Sequence, residues 1–106
     1  MKWFYVCVRL TLMMTFCMLL AFARPHSYTP PNGFVPDEKT AIRIAEAVLT
    51  PIYGERQIES ERPFIATLRG DVWAVTGYLP PGTLGGVAEI RISKKSGKIL
   101  SVTHGA

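Results

Sequence analysis

A chain of 106 residues with a formal net charge of +4 has room for one domain and little beyond it. Much of its 48% hydrophobic content lies in Met1 to Ala23. Beyond that stretch ten basic residues face eight acidic ones, a net charge of +2, which excludes the strongly basic balance of a nucleic-acid binder.

Lys2 and Arg9 form a positive n-region, Leu10 to Leu20 an apolar run of h-region length, and Ala21-Phe22-Ala23 a small-residue cleavage site. The expectation is a secretory signal peptide over residues 1–23, cut before Arg24, that delivers the mature chain to the periplasm or outside the cell. The alternative is an uncleaved leader that anchors the chain in the inner membrane, the one way this sequence would engage a membrane. Arg9 would then fall inside a span that needs about 20 apolar residues. Cys7 and Cys17 both belong to the leader, so the mature chain is expected to hold no disulfide and to rely on packing.

Residues 24–36, RPHSYTPPNGFVP, carry four prolines and no periodicity and read as a linker. His26 stands alone in it, which gives no ground for a metal site, and no motif in the chain asks for a cofactor. Phe34 and Val35 are placed to staple against the first turns of a following helix. That helix is DEKTAIRIAEAVLTPIYG, residues 37–54. Ala41, Ile42, Ala45, Val48, Leu49 and Ile52 recur on one stripe while Lys39, Arg43 and Glu46 lie off it. Asp37 and Glu38 suit the start, where free N–H groups and the helix dipole favour carboxylates. A residue before proline avoids helical backbone, so Thr50-Pro51 predicts a break or kink, with Gly54 closing one more turn.

ERQIESER then suggests one or two turns of surface helix centred on Ile58. Glu55, Glu59 and Glu61 make an acidic cluster, read either as a solvated face or as a patch that meets a basic partner. Pro63 opens a strand, and Gly70-Asp71 is the two-residue turn of a type II′ hairpin. Its register sets Leu68 opposite Trp73, Ala66 opposite Val75 and Phe64 opposite Gly77 on the core face. Trp73 is expected as a core anchor whose N–H needs a partner. Residues 78–86, YLPPGTLGG, form a loop in which Tyr78, Pro80, Pro81 and Leu84 make a rigid apolar tip suited to protein contact. Gly85-Gly86 lacks the helix and Lys-Ser/Thr of a phosphate loop, so a bulge or tight strand entry is expected there.

A second hairpin joins residues 87–93 to 98–104 around Lys94-Lys95-Ser96-Gly97, with Gly97 at the left-handed position. Pairing Lys94 with Lys98 puts Ile92 opposite Leu100, Ile90 opposite Val102 and Ala88 opposite His104. His104 ends the apolar row as a rim residue or as a polar group facing a cavity. The sum is an α+β domain over residues 37–106, a cystatin-like or NTF2-like roll with one main N-terminal helix packed on a four-stranded antiparallel sheet.

TAIRIAEAVLTPIYGE, ERPF, VWAVTGYLPPGTLGGVAEI and ISKKSGKILSVTHG, in that order, resemble the NTF2-fold immunity proteins of bacterial polymorphic toxin systems. The resemblance implies an antitoxin that binds a cognate toxin protein and blocks it without catalysis. Its motif positions, Tyr53, Gly54, Pro63, Phe64, Trp73, Gly85, Gly86, Gly97 and His104, read as architectural. The contact surface is expected at one of two competing places, Glu55, Glu59 and Glu61 or Tyr78, Pro80, Pro81 and Leu84, and a free strand edge leaves room for a homodimer. Two other classes stay open. One is a secreted inhibitory or binding module of the PepSY or cystatin-like kind. The other is an enzyme, which would have to draw on Tyr53, Asp71, Tyr78, Glu89 or His104, among which no acid–base pair converges.

Overall fold

The computed structural model describes residues 25–105. The expected leader and its cleavage site lie outside them. Among the described residues no helix is long and apolar enough to cross a membrane.

Helix α1 (Glu38–Tyr53) begins at Asp37, whose extended backbone and carboxylate cap the first turn. Its Oδ1 accepts the Thr40 N–H at 2.8 Å. That backbone N–H first, and the Thr40 side chain next, hold the Asp37 carboxyl below its ordinary value. Ala41, Ala45 and Leu49 are fully buried, with Ile42 and Val48 half-buried beside them. The expected stripe fails at its last member: Ile52 is 54% exposed, and it is Tyr53 that finds cover in the final turn. The expected break at Thr50-Pro51 is also absent, since α1 runs through Pro51. A proline this close to the end removes one N–H from the ladder and leaves the rest of the helix intact. The Thr50 hydroxyl donates to the Glu46 carbonyl at 2.6 Å. Gly54, at φ +92°, returns its N–H to the Thr50 carbonyl and turns the chain directly into α2 (Glu55–Ser60), which buries Ile58.

Strands β1 (Ile65–Arg69), β2 (Val72–Thr76), β3 (Ala88–Ser93) and β4 (Ile99–His104) follow as an antiparallel meander in spatial order β1-β2-β3-β4. Helix α1 packs across β1, β2 and β3. Phe64, Ala66, Trp73, Val75, Ala88, Ile90 and Ile92 face it and are buried. The architecture is therefore the expected α+β one, a helix on a four-stranded antiparallel sheet.

The first hairpin has the register read from its turn, from Arg69 opposite Val72 to Ile65 opposite Thr76. Gly70 has φ +62° and no other residue type among those described has positive φ, as a type II′ turn requires. In the second hairpin Ile90 meets Val102 and Ala88 meets His104, but Ile92 meets Ile99, not Leu100. The ladder closes one residue earlier than expected, with Ser93 N–H donating to Lys98 O at 2.9 Å, so the turn has four residues. A bulge opposite Arg91 and Ile92 takes up the difference and leaves Leu100 48% exposed.

The end of the proline-rich stretch belongs to the fold. Phe34 and Val35 donate to the Lys95 and Lys94 carbonyls at 3.1 and 3.0 Å. Val35 is fully buried, and its carbonyl accepts the Trp73 indole N–H at 2.8 Å. Phe34, at 53% exposed, takes no equal part.

Candidate functional site

A meander places the two tight turns at one end of the sheet and the β2–β3 loop, α2 and the end of β4 at the other. The two surfaces that the sequence offered as alternatives, the acidic helix and the proline-rich tip, thus meet at a single end. Tyr78 N–H, where the loop begins, donates to the main-chain carbonyl of Glu61 at 2.7 Å.

The tip is built to hold its shape. Thr83 N–H donates to Pro80 O at 3.1 Å, with Pro81 and then Gly82 at φ +82° between them. Proline followed by a positive-φ glycine is the signature of a type II turn, whose backbone is largely fixed before any partner arrives. Leu84 follows it and is 97% exposed. Tyr78 and Leu79 are partly exposed at the base, and Pro80 and Pro81 lie open. Gly85 has φ +121°, and Gly86 lies so close to the Gly105 carbonyl group that a Cβ would overlap it. The glycine pair therefore serves a tight strand entry.

Glu55 and Glu59 are exposed on α2. Glu61 is not on that surface, which corrects the expected acidic triplet: it is 3% exposed. A buried carboxylate persists only when its oxygens are matched by donors. Oε1 accepts the Ala88 N–H at 2.5 Å, and Oε2 accepts from Gln57 Nε2 at 3.1 Å and faces His104 Nε2 at 3.2 Å. Gly77 stands where any side chain would collide, since a Cβ would lie 2.7 Å from Oε1 and 3.3 Å from the Phe64 ring. His104 is the rim residue, its ring centroid 5.0 Å from that of Tyr53 with the two planes tilted by 54°. The patch around α2 is also less acidic than its sequence suggests. Arg62 lies among its carboxylates and bonds Glu46 at 3.0 Å, which raises the guanidinium's already high pKa.

The remaining motif residues hold the scaffold. Tyr53 packs against the core, Gly54 joins the two helices, Phe64 covers Gly77, and Gly97 at φ +76° closes the second hairpin. Pro63 is exposed ahead of β1. Asp71 lies in the turn at the far end, and Glu89 pairs with Arg91 on the outer sheet face at 3.2 Å. Sequence reasoning missed the Glu61–His104 contact, the parts of Gln57 and Gly105, and the room that Gly77 makes for the Glu61 carboxylate. Two clefts of about 220 Å³ lie elsewhere, one lined by Asn32, Asp71 and Lys95 and one by Arg69, Ala74 and Arg91. Among the described residues no group of three or more His, Cys, Asp or Glu side chains could hold a metal.

The profile of a family described as NTF2 fold immunity protein matches residues 40–106. The chain belongs to the NTF2 fold immunity protein family. It is also similar to two uncharacterised proteins of Escherichia coli K12. It shares 42% identity with YbbC over 71 residues, which is 66% of this chain and 58% of YbbC. With YhhH it shares 34% identity over 79 residues, 74% of this chain and 61% of YhhH. The matched regions thus span about six-tenths of each relative's length. No solved structure matches the chain.

Proposed function

We propose that this protein is an antitoxin that binds a cognate toxin protein and blocks it sterically, without catalysis, through the end formed by α2 and residues 78–86. Family membership supports the antitoxin role, and the observation that carries the contact surface is Leu84. Leu84, 97% exposed just after the type II turn, shares its loop with exposed Tyr78 and Leu79, and several large apolar side chains exposed on one loop are the kind of surface that protein contact uses. Leu84 suits an anchor that enters a partner's pocket at little ordering cost. Glu55 and Glu59 are exposed on α2 at the same end of the sheet and favour a partner that carries cations there. Both carboxylate oxygens of Glu61, the buried acid nearest to this end, are already held by protein donors, which supports a structural use over a chemical one.

The leader-like residues 1–23 support an encounter in the periplasm or outside the cell, with the toxin met in the envelope. Affinity capture of the tagged chain from the envelope fraction, with mass spectrometry of the bound protein, tests the reading. The expected catch is a protein with a domain that is lethal when expressed alone and harmless when expressed with this chain. Stoichiometric recovery of a protease or envelope enzyme, with no lethal domain, would instead favour a secreted inhibitory module.

A further inference from the structure

The sheet has two open edges, and only one of them is guarded. β4 is interrupted by the bulge opposite Arg91 and Ile92, and a bulge bends an edge away from any strand that approaches it. β1 pairs with β2 residue for residue over its whole length and carries no proline, lysine or acidic residue. All of its residues but Ala66 are exposed, Ile65 at 57% and Leu68 at 42% among them.

The hairpin turn decides which backbone groups of β1 are left over. Arg69 and Val72 flank the two-residue turn and exchange both of their N–H···O bonds, and such pairs alternate along the ladder with pairs that exchange none. Ile65, Thr67 and Arg69 therefore turn their N–H and C=O groups toward β2, while Ala66 and Leu68 turn theirs out to the edge. Among the described residues no loop or helix backbone bonds to the main chain of Ala66 or Leu68. Set against its own reverse, the strand is complementary. Antiparallel pairing with the β1 of a second copy, centred on Thr67, aligns Ile65–Arg69 in full and sets the outward groups of Ala66 against those of Leu68. Thr67 meets Thr67, a favourable cross-strand pair, and exposed Ile65 meets Arg69, whose aliphatic stem lies over it. No like charges are opposed. A centre at Ala66 would leave Leu68 and Arg69 beyond the end of the opposing strand, and a centre at Leu68 would do the same to Ile65 and Ala66.

We propose that the β1 edge is a docking site for a second copy of this chain, which pairs antiparallel about Thr67 and continues the sheet across both molecules. An edge this short buries a small interface, so the association belongs to the weak, concentration-dependent class. It does not rest on the toxin-binding reading, and its test uses the chain alone.

In the full chain, hydrogen-exchange protection of the Ala66 and Leu68 amides should rise about tenfold between about 10 μM and about 1 mM protein, while that of Thr67, bonded inside the hairpin, stays level. Thr67→Lys sets two ammonium groups against each other at the two-fold axis and should abolish the rise, with the Trp73 indole resonance unchanged. Thr67→Cys, in a chain that also carries Cys7→Ser and Cys17→Ser, should form a disulfide-linked dimer under mild oxidation. Directly opposed residues of this kind have Cα atoms about 4.5 Å apart, within the span a disulfide bridges. Thr103→Cys in the same background, exposed on β4, should stay monomeric. Protection that does not depend on concentration, or cross-linking of Thr103→Cys as readily as of Thr67→Cys, would overturn the proposal whether or not Thr67→Lys folds. Protection of Ala66 and Leu68 that appears only when another protein is added would give the edge to that protein and overturn the second copy as its occupant.

Discussion

At the end of the sheet that carries the Gly70-Asp71 and Lys94–Gly97 turns, the core is closed by Trp73 and Val35, two apolar residues joined by one hydrogen bond of 2.8 Å. At the opposite end it is closed by Glu61, a carboxylate that gathers donors from α2, β3 and β4. The difference shows what each closure is suited to hold. Apolar packing gains free energy from area and is forgiving of direction, so it fits an end that has only to stay shut. A buried carboxylate is stable only with its partners in place, so it fixes positions, and here it fixes the feet of the loop that presents Leu84.

The comparison can be broken most severely at Trp73. Trp73→Ala should destabilise the fold by about 3–5 kcal/mol, read as a shift in the urea midpoint. Trp73→Phe should cost less while leaving the Val35 carbonyl without its donor. Removing everything before residue 37 should come next. It loses the burial of Val35, about 1.5–3 kcal/mol, and orphans the Trp73 N–H, whereas a chain that starts at residue 32 should unfold like the full one. Glu61→Ala leaves the Ala88 N–H unpaired and should cost about 1–3 kcal/mol, with the largest loss of amide protection at Ala88 and Gly105 and the least near Trp73. The smallest effect belongs to Asp37. Its carboxyl pKa is lowered in the folded chain, so the stability it contributes is present above its unfolded pKa and is lost as pH falls through the lowered folded value. Thermal melts of the Asp37→Asn variant should therefore show a shallower decline on acidification than those of the unaltered chain.

The apolar end was largely legible in the sequence. Periodicity gave Ala41, Ala45 and Leu49, and the Gly70-Asp71 turn gave the full register of β1 and β2, because both signals are local. Trp73 was readable as an anchor that needs a partner, but not that the partner would be the carbonyl of Val35, in a stretch whose prolines suggested a linker. The polar end was legible only in outline. Glu61 looks like one more acid in a charged run, and nothing near it says that it is buried. Its partners come from Gln57, Ala88 and His104, the last two 27 and 43 residues away, and only the folded meander brings them together. Gly77 was readable as a gap beneath Phe64, but its second role, making room for a carboxylate, depends on that same long-range meeting. The Leu100 bulge was missed because a turn of three or of four residues fits Lys94-Lys95-Ser96-Gly97 equally well.

The end organised by Glu61 is proposed to present Leu84 to a toxin. The direct test is survival of cells that express the captured lethal domain together with either the unaltered chain or Leu84→Asp. Residue 84 is 97% exposed, so the variant's unfolding midpoint should match the unaltered chain's to within about 0.5 kcal/mol. Loss of an interface anchor should nonetheless weaken binding by about 2 kcal/mol or more. Rescue by the unaltered chain and death with the variant is the predicted result. Equal rescue by both, at equal expression, would contradict it and move the binding surface away from the tip.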